Sequence, residues 1–199
     1  AESSVDRLEE IEKFENKPVH DTVVEPPIQN LNVRDLHYRF SREAEDVINA
    51  INFQARPGEK IGVVGEVGSG KTVLLKLISG WIVPDSGSVE LNEARLSELS
   101  DASRARSIGY VPQDIELFSG TVTDNISMGR EAIKSLVSIT QTAVIGDELD
   151  LDKMLEQGGV GLSGGQRARV ALARAFYGDP PIYIFDDVTS ALDLNTEKI

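Results

Sequence analysis

The chain contains no cysteine, which excludes a disulfide scaffold and a thiolate zinc site. No apolar run approaches the ~18 residues needed to span a bilayer, and no signal-peptide pattern is visible. Positive charge is scarce. Lys and Arg number 20 against 33 Asp and Glu, for a net charge of −13. That balance argues against a nucleic-acid backbone as the main partner, while leaving room for a local basic patch. Histidine is limited to His20 and His37. The first residue is Ala1, not methionine, which points to a fragment or a processed chain. At 199 residues the expectation is one domain, or one domain with an appendage, large enough to bury a real core.

Against these absences stands one glycine-rich stretch, Gly65-Glu66-Val67-Gly68-Ser69-Gly70-Lys71-Thr72. It fits the pattern G-x-x-x-x-G-K-[ST]. Ile61, Val63 and Val64 before it predict a strand over Lys60 to Val64. Val73, Leu74, Leu75, Leu77 and Ile78 after it predict a helix closed by Gly80. Strand, glycine-rich loop and helix form the context of a phosphate-binding P-loop. Gly65, Gly68 and Gly70 let successive backbone N–H groups turn inward, with no side chain blocking a phosphate. The helix adds its positive N-terminal dipole. Lys71 supplies a mobile charge for β- and γ-phosphates, and the Thr72 hydroxyl is a hard oxygen ligand suited to Mg²⁺.

Along the rest of the chain, Val5, Leu8, Ile11 and Phe14 predict a narrow apolar stripe on a helix over Ser3 to Asn16, ended by Pro18. His20 to Pro27 reads as a linker. Val33, Leu36, Tyr38 and Phe40 predict a first strand and Val47 to Phe53 a second. Further strands are expected over Ser88 to Leu91 and Ser107 to Val111, with none over Ser119 to Ile145. Helices are expected over Glu131 to Ile145, Leu149 to Leu155 and Gln166 to Tyr177. Ile182 to Phe185 reads as a strand buried on both faces. The alternation points to an α/β class with a mainly parallel sheet, and Gln113 to Gly161 to a helical insertion.

Asp186 and Asp187 follow that last strand, where ligands bind in open α/β sheets. Adjacent strand residues face opposite sides, so the two carboxylates have different work. Asp186 is the expected Mg²⁺ partner, acting through water, and Asp187 the group facing an attacking water. Without the loop at 65–72, both would read as acidic caps at a strand end. Leu162-Ser163-Gly164-Gly165-Gln166 is a second phosphate cradle at a helix N-terminus.

With these residues in this order, the chain resembles an ATP-binding cassette (ABC) nucleotide-binding domain over about Leu31 to Ile199. Leu162 to Gln166 matches the family's signature without a substitution. Val111-Pro112-Gln113 resembles its Q-loop, and Ser190-Ala191-Leu192-Asp193 its D-loop. Leu117 to Ile126 resembles the segment that follows the Q-loop in exporters.

The resemblance implies a P-loop NTPase fold, with an antiparallel β-subdomain near the start and a helical subdomain over about 113–161. Residues 1–30 would then be the tail of a preceding transmembrane domain and its linker. It implies ATP and Mg²⁺ as cofactors, and a head-to-tail pairing with a second nucleotide-binding domain, identical or different. Ser163, Gly164, Gly165 and Gln166 would then meet the ATP held by the partner's P-loop. Gln113 would touch Mg²⁺ or the attacking water, Asp187 would serve catalysis, and Phe40 would stack on adenine, with Tyr38 as the alternative. The domain would work on the cytoplasmic face of a membrane, joined to a transmembrane domain. Gln157 lies where exporters often carry a glutamate.

Two departures stand out. Asp187 replaces the usual glutamate, and the family's later histidine does not occur before Ile199, which reads as truncation. Two functions follow, an exporter's ATPase motor or an ATP-gated dimerisation element with little hydrolysis. A DNA-repair or translation ATPase fits less well with the acidic balance and the exporter-like segment.

Overall fold

The computed structural model describes residues 22–24, 27–41, 43–130, 136–143, 145 and 149–188. The predicted helix over Ser3 to Asn16 and the segment Ser190 to Asp193 lie outside them.

Two hydrophobic cores organise these residues. The first lies under a four-stranded antiparallel sheet in the order β2-β1-β3-β4. Its strands are β1 (Leu31–Tyr38), β2 (Ile48–Ala55), β3 (Ser86–Leu91) and β4 (Ala94–Arg95). Val33 faces Phe53 on one side and Val89 on the other, so one inward-pointing set of apolar side chains is shared by three strands. A bulge around Asp35, which has φ 45°, breaks the register in both ladders. Gly87 sits opposite, where a Cβ would fall 2.2 Å from the Asp35 carbonyl oxygen. Only glycine permits that approach.

Helix α1 (Lys71–Ile78) covers this sheet with Leu74, Leu77 and Ile78. Each such burial contributes about 1.5–3 kcal/mol. The second core gathers α3 (Val122–Ser127), α4 (Leu136–Thr142) and α5 (Gly164–Phe176), with Val111, Leu117 and Val188. Helix α2 (Asp101–Ser107) precedes β5 (Ile108–Val111), which pairs in parallel with β8 (Ile182–Phe185). The α/β class follows from this mixture of sheets and helices.

Several elements differ from expectation. Lys60 to Val64 forms no ladder with any described residue, and Ile61 and Val64 are 50% and 92% exposed. Apolar composition gives a stretch the means to be a strand, but only a neighbouring strand makes it one. The β5–β8 pair is the parallel ladder among the described residues. β8 has one described neighbour and alternates instead of being buried on both faces. Ile184 is inside, whereas Tyr183 and Phe185 are partly exposed and stack on each other.

Leu149 to Leu155 is not a helix. The Asp150 side chain accepts from Asp152 N, which makes a turn. The chain then enters β7 (Met154–Leu155), antiparallel to β6 (Gly120–Thr121), a short strand within the stretch where none was expected. Part of the expected linker is pinned: Thr22 bridges to Leu99, and Val24 N donates to Ser103 Oγ. β1 ends at Tyr38, so Phe40 lies beyond the strand.

Candidate functional site

Residues 65–70 form an exposed loop, and α1 begins where it ends. Gly70 takes φ 90° at the N-cap position, and a Cβ there would meet Val47 Cγ1 and the Val47 carbonyl at about the 3.0–3.1 Å contact limit. The glycine thus serves both a left-handed turn and a close approach to the chain entering β2. Lys71 Nζ donates to the carbonyl oxygens of Gly65 (2.9 Å) and Glu66 (2.7 Å). Its ammonium is therefore held over the loop that its own helix continues. Thr72, one residue on, reaches the end of β8: its Oγ1 donates to Asp186 Oδ1 at 3.1 Å. The other carboxylate oxygen, Oδ2, accepts from the Tyr110 hydroxyl at 3.3 Å. Asp186 is only 5% exposed.

The sheet explains why these groups meet. β5 and β8 run in parallel register, Val111 opposite Phe185, and Asp186 N donates to Val111 O at 3.0 Å. The carboxyl ends of both strands therefore stop at one edge, with Gln113 just beyond one and Asp186 and Asp187 beyond the other. Asp187 is exposed, with φ 52°, past the last residue of β8. Asp186 is buried and Asp187 exposed, but both lie past β8, so the difference does not come from strand alternation as expected. Gln113 is exposed as well. Burial, then the charge of Asp186, push the Tyr110 hydroxyl up to about 12.

Ser163 is the N-cap of α5. Its Oγ accepts from Gln166 N at 3.2 Å, and Gln166 Oε1 accepts from Ser163 N at 3.0 Å. This capping box satisfies two helix-start donors. It leaves the Ser163 hydroxyl proton available and holds the Gln166 side chain in place. Among the described residues no hydrogen bond joins 163–166 to 65–72. Phe40 is 70% exposed, with its ring edge-on to Tyr38 at 5.5 Å. Tyr38 is half-buried against the first core, so Phe40 is the ring free to meet a ligand.

Sequence reasoning missed two groups. Tyr110 reads only as a strand former, because β propensity says nothing of what a hydroxyl touches. Asn125 and Arg174 form a clamp on the segment after Gln113. Asn125 Nδ2 donates to Phe118 O and Thr121 O, and its Oδ1 accepts from Phe118 N. Arg174 donates to Glu116 O and Asn125 O and lies over the Phe118 ring. Burial lowers the pKa of Arg174, and the neighbouring Arg130 adds to this.

A family model described as "ABC transporter" matches residues 48–190. The chain belongs to the ABC transporter family. Membership of this family gives the site its class, nucleotide binding on a P-loop NTPase fold. An uncharacterised ABC transporter ATP-binding protein, YfiB of Bacillus subtilis, is 34% identical over 205 residues, 99% of this chain and 36% of its own length. The alpha-hemolysin translocation ATP-binding protein HlyB of Escherichia coli is also 34% identical, over 98% of this chain and 29% of its own.

Among solved structures, a bacterial Atm1-family ABC exporter with ATP bound superposes with a TM-score of 0.81 at 26% identity, covering 98% of this chain. That match takes in 36% of the exporter chain, so this cassette spans about a third of the length of the proteins it is similar to. Among the described residues no helix is long and apolar enough to cross a membrane, and no cluster of three or more His, Asp or Glu could hold a metal alone.

Proposed function

We propose that this chain is the ATP-binding and hydrolysing cassette of an ABC exporter, joined to a transmembrane domain and working on the cytoplasmic face of the membrane. The observation that carries the reading is the Thr72–Asp186 contact, which ties the first turn of the loop's helix to the ligand-facing end of β8. A hydroxyl and a buried carboxylate in contact are the hard oxygen donors that Mg²⁺ takes. Thr72 and Asp186 would hold the ion, with Gln113 approaching from the end of β5. Bound there, Mg²⁺ would neutralise charge on the β- and γ-phosphates.

The protein's own share is positional. The loop amides and Lys71 hold the phosphates, Phe40 stacks on the base, and Asp187 orients the water. Ser163, Gly164 and Gly165 would face ATP on a second cassette, a reading supported by the lack of any hydrogen bond between 163–166 and 65–72 among the described residues. The capping box supports this role by fixing the helix start that presents them.

Lys71→Ala should weaken binding of a fluorescent ATP analogue about tenfold, ~1.4 kcal/mol. Unchanged affinity in a folded variant would remove the P-loop from the reading. Assembly has its own test. ATP held unhydrolysed should shift the exporter cassette toward a dimer in light scattering, and Ser163→Arg should abolish the shift. A dimer indifferent to both ATP and Ser163→Arg would argue against a shared site. One observation favours a second reading, in which the cassette binds ATP to gate dimerisation and hydrolyses little: Asp187 has a shorter reach than the glutamate common in the family.

A further inference from the structure

We propose that Tyr110 is a positioning residue for the metal: its hydroxyl fixes the Asp186 carboxylate in the orientation that receives Mg²⁺. The proposal rests on the reading of Asp186 as the metal's partner.

Asp186 is buried, and a buried carboxylate needs donors on both oxygens. It has one on each. Thr72 Oγ1 serves Oδ1 and Tyr110 Oη serves Oδ2. These two hydroxyls differ in kind. Thr72 lies in the nucleotide site and is itself a proposed ligand, so its lone pairs and proton must rearrange when the ion and phosphates arrive. Tyr110 stands outside the loop, on β5, and its ring packs against the first core. Trp81, just past the end of α1, packs against it with ring centres 5.6 Å apart and planes at 51°. The strand beneath is fixed by the β5–β8 ladder, Tyr110 opposite Ile184. Tyr110 is therefore the donor that stays put while the metal side of the carboxylate changes partners. A group that orients a metal-holding side chain through a hydrogen bond acts on metal affinity, not on the ligand's other contacts.

Tyr110→Phe tests this, because it keeps the ring, its packing on Trp81 and the strand propensity, and removes one oxygen. The measurement is binding of a fluorescent ATP analogue to the full 199-residue chain, titrated with Mg²⁺ and repeated in chelator. The expected result is an Mg²⁺ midpoint raised about tenfold, the low end for a group holding a metal ligand, with affinity in chelator unchanged and a melting temperature lower by about 2–4 °C, because Asp186 Oδ2 loses its donor. In an Asp186→Asn background, Tyr110→Phe should have no further effect on the Mg²⁺ response.

An unchanged midpoint in Tyr110→Phe, while Asp186→Asn abolishes the response, overturns the proposal and leaves the reading of Asp186 standing. A full Mg²⁺ response in Asp186→Asn overturns both. Equal weakening with and without metal assigns Tyr110 to general packing and also overturns it.

Discussion

Turnover should fall a hundredfold or more when Asp187 is replaced by asparagine, and rise about tenfold when it is replaced by glutamate. The first figure is the low end of what a positioned general base contributes, ~10²–10⁴. The second comes from reach. Aspartate is shorter than glutamate by one C–C bond, about 1.5 Å, and about 1 Å of misplacement can cost on the order of a hundredfold. The backbone adds a counter-effect. Asp187 has φ 52°, in the left-handed region that aspartate and asparagine tolerate better than longer side chains. Asp187→Glu should therefore lose about 1 kcal/mol of stability as it gains rate, a melting temperature lower by about 2–4 °C. Asp187→Asn should keep both the local conformation and ATP affinity. Single-turnover hydrolysis and thermal melts on the three proteins decide the matter. Wild type as fast as Asp187→Glu would refute the reach argument, and all three equally inactive would make this cassette the regulatory half of a pair.

The largest effect on stability should come from Asn125→Leu, a change of similar volume inside α3. Asn125 is 1% exposed, and its side chain serves three backbone groups: the N–H and carbonyl of Phe118 and the carbonyl of Thr121. Leucine serves none. An orphaned buried polar group costs ~1–3 kcal/mol, so the loss should be about 4 kcal/mol, or roughly 10 °C in melting temperature for a chain of this size. The Glu116–Phe118 segment also loses the anchor that Arg174 shares with it. A drop below about 2 °C would show that water replaces the amide.

What was legible in the sequence was local. Gly70 announces a left-handed turn by having no side chain, and Ser163 with Gln166 three residues on announces a helix start that the structure bears out. Val33 and Leu36 mark β1 as an apolar segment, but their three-residue spacing breaks strand alternation, and the bulge at Asp35 is what turns both inward. What failed was non-local. Whether Lys60 to Val64 becomes a strand depends on which chain lies beside it. Leu149 to Leu155 turned on one side chain, Asp150, capturing a backbone N–H, which apolar spacing does not register. Asn125 falls inside the exporter-like segment Leu117 to Ile126, and its hold on Phe118 shows only once the two are folded together. Of the site, Thr72 and Asp186 were found as separate motifs 114 positions apart, and their contact came from the fold.

The hydrogen bond from Asp186 N to Val111 O has a bearing on how this cassette tolerates sequence change. It joins the strand leading to Gln113 to the strand end carrying both acids, and it is made wholly of main chain. Side chains on either strand can drift, and the chemistry at positions 113 and 187 can be retuned or lost, without cutting it. Proline at 186 alone among the standard residues would delete the donor. The connection is therefore inherited with the fold itself, and would persist in a cassette that had lost the side chains at 113 and 187.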